Sequence, residues 1–432
     1  MSADPAILDD VIGWAWDGPA GGAAARQARL LLLDSLGCAL AGLGHPRVAG
    51  FAAALAGWMP GPVRLPGVGP HLAPGAAAAV LATAMCWDEA NDGLARAHGR
   101  PGLAVAPLAL VALAEGRPLH AALAAYALGY EVAARAGEIW RIRAGMHVDG
   151  SWHALGAAAA AARLAGLDRA GAARAVRLVA CQVPFSLYAP IAAGMDGRNS
   201  YPAHAVLLGA MAAAAAAAGM DAPEAGFAEA RRIALGHATP AARAPADTWL
   251  IEEGYAKPFA GVRHAHYGAA AALALRPAVA DRLDAVRGIV LETYGEAITY
   301  AGNRAPGSAI KAQFSLSWAI AAALTQGDLG PAAYTDTALT DPRLRRLEAL
   351  VELREDAAMT AAGRRAARLS LDLGGETLTE AVDGVAGDPG RAMDATAVQA
   401  KFLRLATPLL GDAAATVAAA MLAADGPCPP FR

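Results

Sequence analysis

Lysine is nearly absent from this 432-residue chain: Lys257, Lys311 and Lys401 are the only three among 36 basic residues, and the other 33 are arginines. A lysine inside a motif is therefore more informative here than usual. Cysteine is scarce as well. Cys38, Cys86, Cys181 and Cys428 form no C-x-x-C pair, which argues against a disulfide framework and against a zinc or iron–sulfur cradle. That usage fits a reducing compartment. Charged residues make up only 17% and apolar residues 56%, so the chain can bury a large interior and disorder is excluded. The net charge of −3 lacks the basic excess of a nucleic-acid binder. The longest uncharged apolar run, 205–220, falls short of a membrane span and is mostly alanine; it reads as a tightly packed helix. The acidic first ten residues lack the basic start of a secretory signal, so a cytoplasmic protein is expected. No G-x-G-x-x-G after a strand, no P-loop and no G-x-S-x-G elbow occurs. Nicotinamide, ATP and acyl-serine chemistry thus lack support.

What is abundant is alanine, and it dominates the first 250 or so residues. Alanine is the best helix former, and its small side chain lets helices approach closely. Helices are expected over 26–43, 76–88, 103–115, 121–135, 151–164, 169–181 and 205–219. Leu32, Leu36 and Leu40 give the i, i+4 spacing of a buried face. Helices this apolar on most sides belong inside a large bundle or at a subunit interface. The texture changes near residue 280. Segments 286–294, 351–354, 367–373 and 377–382 have the β-branched or alternating character of strands, with helices expected over 315–324 and 342–350 between them. The expectation is a mainly α protein: an all-helical domain over 1–262, an α+β lid of antiparallel strands and helices over 263–394, and helices over 395–432 returning to the first domain.

Three clusters offer chemistry. Cys86-Trp87-Asp88-Glu89-Ala90-Asn91-Asp92, followed by His98-Gly99-Arg100, puts three acids at the end of an apolar helix. That is a place for a general base or for a helix-end polar network. The segment HVDGSWH, ending in His153, opens another alanine helix; a buried His there could serve as acid or base. The third, KPFAGVRHAH, gathers Lys257, Arg263, His264 and His266 within ten residues. Such a cationic patch suits carboxylates, and Arg263 can grip one bidentately. His264-x-His266 lacks a convincing third ligand for a metal, and none is expected. Arg198, ahead of the next alanine run, would add to the positive field of a helix start.

Taken together and in order, LLLDSLGCALAG, AMCWDEAND, RPGLAVAPLALVALAEG, YALGYEVAAR, GSWHALG and KPFAGVRHAH resemble the motifs of the MmgE/PrpD family. That family includes 2-methylcitrate dehydratase, cis-aconitate decarboxylase and iminodisuccinate epimerase. The resemblance covers residues 30 to 330. It implies a helical domain with an α+β lid, a homodimer, and no metal or organic cofactor. It also implies a small carboxylate substrate, without nucleic-acid or membrane partners. By this resemblance Asp88, His153 and Lys257 match catalytic positions, with His98 a stand-in for the histidine that Arg100 replaces. Arg100, Arg198, Arg263, His264 and Trp318 would contact substrate. Arg198 stands near a family lysine, Trp318 near a tyrosine, and Val262 near a second histidine.

These replacements have chemical content. Arginine keeps a positive charge but carries protons poorly, and tryptophan cannot act as a phenol acid. The expected reaction is proton abstraction beside a carboxylate of a small di- or tricarboxylate, with cations holding the enolate-like charge. Elimination, which would make a dehydratase-like lyase, leads. An epimerase, a decarboxylase, a member repurposed for specialised metabolism and a non-catalytic scaffold are the alternatives.

Overall fold

The computed structural model describes residues 7–236, 243–245 and 248–423. Cys428 and the outermost ends of the 1–262 and 395–432 segments lie outside them. Most of the described chain is helical. Gly22–Leu43, Pro74–Trp87, Ala106–Ala114, Leu119–Ile139, His153–Leu164, Arg169–Cys181 and Tyr201–Ala217 form one bundle. Small residues set its spacing. A side chain on Gly42 would overlap the Ala84 carbonyl oxygen, and one on Gly156 would overlap that of Gly129. Helix pairs therefore meet backbone to backbone, which the alanine content permits. Segment 103–115 is not one helix: a short 3₁₀ turn at Pro101–Ala104 precedes Ala106–Ala114. Pro107 fits because it stands in the first turn, where its missing N–H has no helical partner.

A second hydrophobic core surrounds a four-stranded sheet ordered Val351–Glu355, Gly288–Thr293, Ala367–Asp372, Thr377–Val382. Ile289, Leu291, Leu369 and Leu371 point inward onto helices His266–Val279 and Leu316–Gln326. The expected antiparallel sheet needs correction, because the sheet is mixed. Gly288–Thr293 pairs parallel with Val351–Glu355, in the register Ile289↔Val351, and antiparallel with Ala367–Asp372. The helices between residues 295 and 350 carry the chain back to the end where Gly288–Thr293 began, and a strand reached by such a crossover runs parallel.

Helices Ala395–Leu410 and Ala413–Leu422 pack on Gly22–Leu43, and Val398, Phe402 and Ala406 join the helical core. Among the described residues one segment, Asp196–Ala217, is long and apolar enough to cross a membrane by length and composition, and 44% of its most apolar window is packed inside the protein.

Candidate active site

The site grows from the C-terminal end of Pro74–Trp87. An ideal helix leaves its last carbonyls without partners and carries a partial negative charge there. Here the carbonyl of Trp87 and those of the three residues just beyond the helix are each taken by a donor from far along the chain. The Gln313 side-chain amide donates to Trp87 O at 2.8 Å, and the Gly261 N–H to Asp88 O at 3.0 Å. Lys257 Nζ donates to Glu89 O, and Lys401 Nζ to Ala90 O, each at 2.7 Å. Two of the three lysines in the chain thus sit on adjacent carbonyls. Lys401 is also ion-paired with Asp34 at 2.5 Å, both side chains being buried.

Glu89 turns the chain out of the helix with φ at +54°, a left-handed conformation costly for a residue other than glycine. Its carboxylate enters a buried knot with Arg100, Arg198 and Asp149. Arg100 meets Glu89 at 2.5 Å and pairs with Asp149. Arg198 meets Glu89 at 2.9 Å and Asp149 at 3.2 Å. The Cys86 thiol fills the centre, 2.8 Å from Arg198 and 3.4 Å from Arg100. Asn91 Oδ1 accepts from Arg100 at 2.7 Å. The oxygen and sulfur atoms of Cys86, Glu89 and Asp149 lie within 4.8 Å of one another, as a metal's ligands would, but two guanidiniums already occupy them. Two positive and two negative charges balance, as burial requires.

Burial acts on each titrating group differently because their partners differ. Burial alone pushes the Asp88 carboxyl up to about 7, with no cation offsetting it; its side chain keeps partial access to solvent. Burial also lowers the Lys257 ammonium, to about 8, against the pull of Glu89. Burial raises Glu89 too, but Arg100, Arg198 and Lys257 outweigh it and bring the carboxyl down to about 2. Asp149 likewise ends well below the usual carboxylate range. Burial drives His147 and His153 each down to about 4, so both rings are neutral at pH 7. His153 is fully buried and stacks on Trp152 at 3.9 Å between ring centres.

The residues named from the sequence divide into two groups. Asp88, Arg100, Arg198 and Lys257 meet at this joint between the two cores. His153 lies within electrostatic reach of Arg100 and Asp149. Arg263 is committed to Asp388 at 2.6 Å and to Ala386 O at 2.9 Å. The His264 ring bonds the Tyr294 hydroxyl at 2.7 Å. The other two stand apart from the knot. His98 is exposed on the Leu94–Gly99 turn, among Arg141, Arg365 and Glu296. Trp318 is sealed in the second core, its indole N–H donating to Ala333 O at 2.9 Å, with Arg345 over its ring. Burial in a packed core, rather than contact with substrate, accounts for an indole there.

Sequence reasoning passed over Asp149 and Lys401 as parts of this site. Lys401 had a signal, its rarity, together with a lone acid, Asp34, inside a leucine run. Asp149 had only its place beside two histidines.

Comparison with known families gives two matches. The MmgE/PrpD N-terminal domain matches residues 18–240, and the MmgE/PrpD C-terminal domain matches residues 259–424. Among curated proteins none matches. The junction between the two matched regions falls beside Lys257, at the joint just described. The chain belongs to the MmgE/PrpD family.

Proposed function

We propose that the chain is a cofactor-independent, dehydratase-like lyase that removes a proton next to a carboxylate of a small organic acid. The observation that carries this reading is that one joint holds both a raised acid, Asp88, at about 7, and a lowered ammonium, Lys257, at about 8, which is bonded to the carbonyl of the residue after Asp88. A base is most useful when its pKa lies near the working pH, and the lowered ammonium of Lys257 is anchored on the carbonyl of the next residue, Glu89, at 2.7 Å. Asp88 as carboxylate takes the α-hydrogen, and the C–H electrons pass into the substrate carboxylate. Lys257 holds that charge and gives a proton to the departing β-hydroxyl, so that water and an alkene form. Solvent then carries the Asp88 proton back to Lys257. Neutral His153 and the Arg100–Asp149 pair stiffen the wall of the site.

The test is a screen of hydroxy-, imino- and unsaturated acids in D₂O, followed by NMR. Elimination with loss of the α-hydrogen supports the lyase. Deuterium entering the α-carbon without a new alkene replaces it with an epimerase, and loss of CO₂ with a decarboxylase. No change in any acid, with folded protein at high concentration, rejects the reading.

A homodimer is part of the proposal. Its support is the outward face of Tyr201–Ala217, where Met211 is 69% exposed and Ala214 and Ala217 are also uncovered. Sedimentation of the protein alone tests it: a monomer at micromolar concentration removes this part.

A further inference from the structure

Asp88 and Glu89 are consecutive acids, and only one of them engages guanidiniums. Glu89 meets Arg100 at 2.5 Å and Arg198 at 2.9 Å. Asp88 makes no ion pair among the described residues, and burial alone acts on it. Both side chains end in the same carboxylate, so the backbone makes the choice. Glu89 sits at φ +54°, and a residue other than glycine stays there only where its surroundings hold it. The holding contacts run along the turn. Glu89 O takes Lys257 and Ala90 O takes Lys401, each at 2.7 Å. Gly93 exchanges two backbone bonds with Tyr255, both at 2.9 Å. Lys257 also lies 3.8 Å from the Glu89 carboxylate, so it acts on the charge of the site as well as on its shape. Lys401 is different. It comes from Ala395–Leu410, and its other bond is to Asp34 of Gly22–Leu43 at 2.5 Å. Both members of that pair are buried, so the ammonium cannot leave Ala90 O without disturbing a buried ion pair.

We infer that Lys401, fixed by Asp34, is a positioning residue for the proposed base: through Ala90 O it holds the left-handed turn that commits Glu89 to the two guanidiniums and keeps Asp88 apart from them. This deepens the proposed deprotonation and rests on it for the role of Asp88. With the Ala90 carbonyl released, Glu89 relaxes toward the ordinary right-handed region. Its carboxylate then withdraws from the knot, and Asp88 is drawn in, because buried guanidiniums are not left half-matched. An acid that gains such a partner titrates lower. Loss of a nearby positive charge, by itself, would push Asp88 the other way. Besides Glu89 and Lys257, the groups facing Asp88 are the Cys38 thiol on Gly22–Leu43 and the Tyr334 hydroxyl from the second core. Burial raises both, and both are neutral at pH 7.

The experiment uses the double variant Asp34→Leu with Lys401→Met, which removes both charges together and leaves an apolar pair in their place. Aspartate labelled with ¹³C at Cγ is titrated by NMR in the unaltered protein and in the variant, and the Asp88 signal is identified by its loss in Asp88→Asn. No substrate is needed. Asp88 should titrate near 7 in the unaltered protein and at least about one unit lower in the variant, the scale of a carboxylate gaining a cationic partner. The acidic limb of α-hydrogen exchange should move down with it. An Asp88 that titrates unchanged or higher in the folded variant overturns the inference and leaves the proposed function standing. An Asp88 near its ordinary value of 3.8 in the unaltered protein rejects the base, and the inference with it. Should the double variant not fold, ¹⁵N-lysine NMR of the unaltered protein decides, since the chain has only three lysines. One sheltered ammonium, Lys257, should titrate near 8. A second, Lys401, should stay charged well past that point, raised by Asp34, with its protons kept from solvent. A Lys401 ammonium that exchanges as freely as that of Lys311 overturns the inference.

Discussion

Asp88 and Glu89 are adjacent acids at one helix end, yet one is lifted to about 7 and the other lowered to about 2. Spacing made both candidates; only the positions of Arg100 and Arg198 separate them. The consequence for stability has a definite sign. The folded-state pKa of Asp88 lies above its ordinary value of 3.8, so the fold favours the protonated acid. Its carboxylate form burdens the native state increasingly as pH climbs from about 4 to about 7. Asp88→Asn escapes that burden. Chemical denaturation should find the variant equal to the parent near pH 4 and more stable by about 2 kcal/mol at pH 7.5, a figure discounted for the partial solvent access of the group. A variant less stable than its parent at pH 7.5 would mean that Asp88 is ionised and well paired in the native state. The same substitution should lower turnover by on the order of 10²–10⁴-fold, the usual contribution of a positioned base. A stabilised but inactive protein separates a catalytic group from a structural one.

At the scale of elements, the helix Pro74–Trp87 was legible almost to the residue, because alanine content and the proline at its start are local signals. Its donors were not. Gly261, Gln313 and Lys401 lie far along the chain, the last two 226 and 311 residues from their acceptors, and no periodicity within a window announces a partner at that range. Lys401 bridges three elements through Asp34 and Ala90 O. Removing one member of a buried pair leaves the other charge unmatched. Lys401→Met should therefore cost about 3–5 kcal/mol. The double change Asp34→Leu with Lys401→Met should recover most of that loss, because a packed apolar pair can replace a buried ion pair. Thermal denaturation of the three variants checks it: a double variant no better than Lys401→Met would show that the bond to Ala90 O, rather than the charge balance, is what matters. The parallel pairing of Val351–Glu355 was hidden for a related reason. Alternation in sequence identifies a strand but not its direction, which depends on the route taken by the helices between.

At the scale of the whole molecule, composition separated the helical body from the sheet-bearing region, since alanine and β-branched residues pack different elements. Charge was harder to read. The sequence presents Arg100, Arg198 and Arg263 as anion binders, and only three dimensions set Glu89, Asp149 and Asp388 against them. At the joint of the two cores Asp88 is raised and Lys257 lowered. The central claim is that these two groups share the proton chemistry, and the pH dependence of α-hydrogen exchange tests it most directly. Exchange of a bound acid into D₂O should rise as Asp88 ionises near 7, fall as Lys257 loses its charge near 8, and lose the acidic limb of that narrow bell in any residual activity of Asp88→Asn. A flat profile between pH 5 and 9, or an Asp88→Asn variant with the full bell, would contradict it.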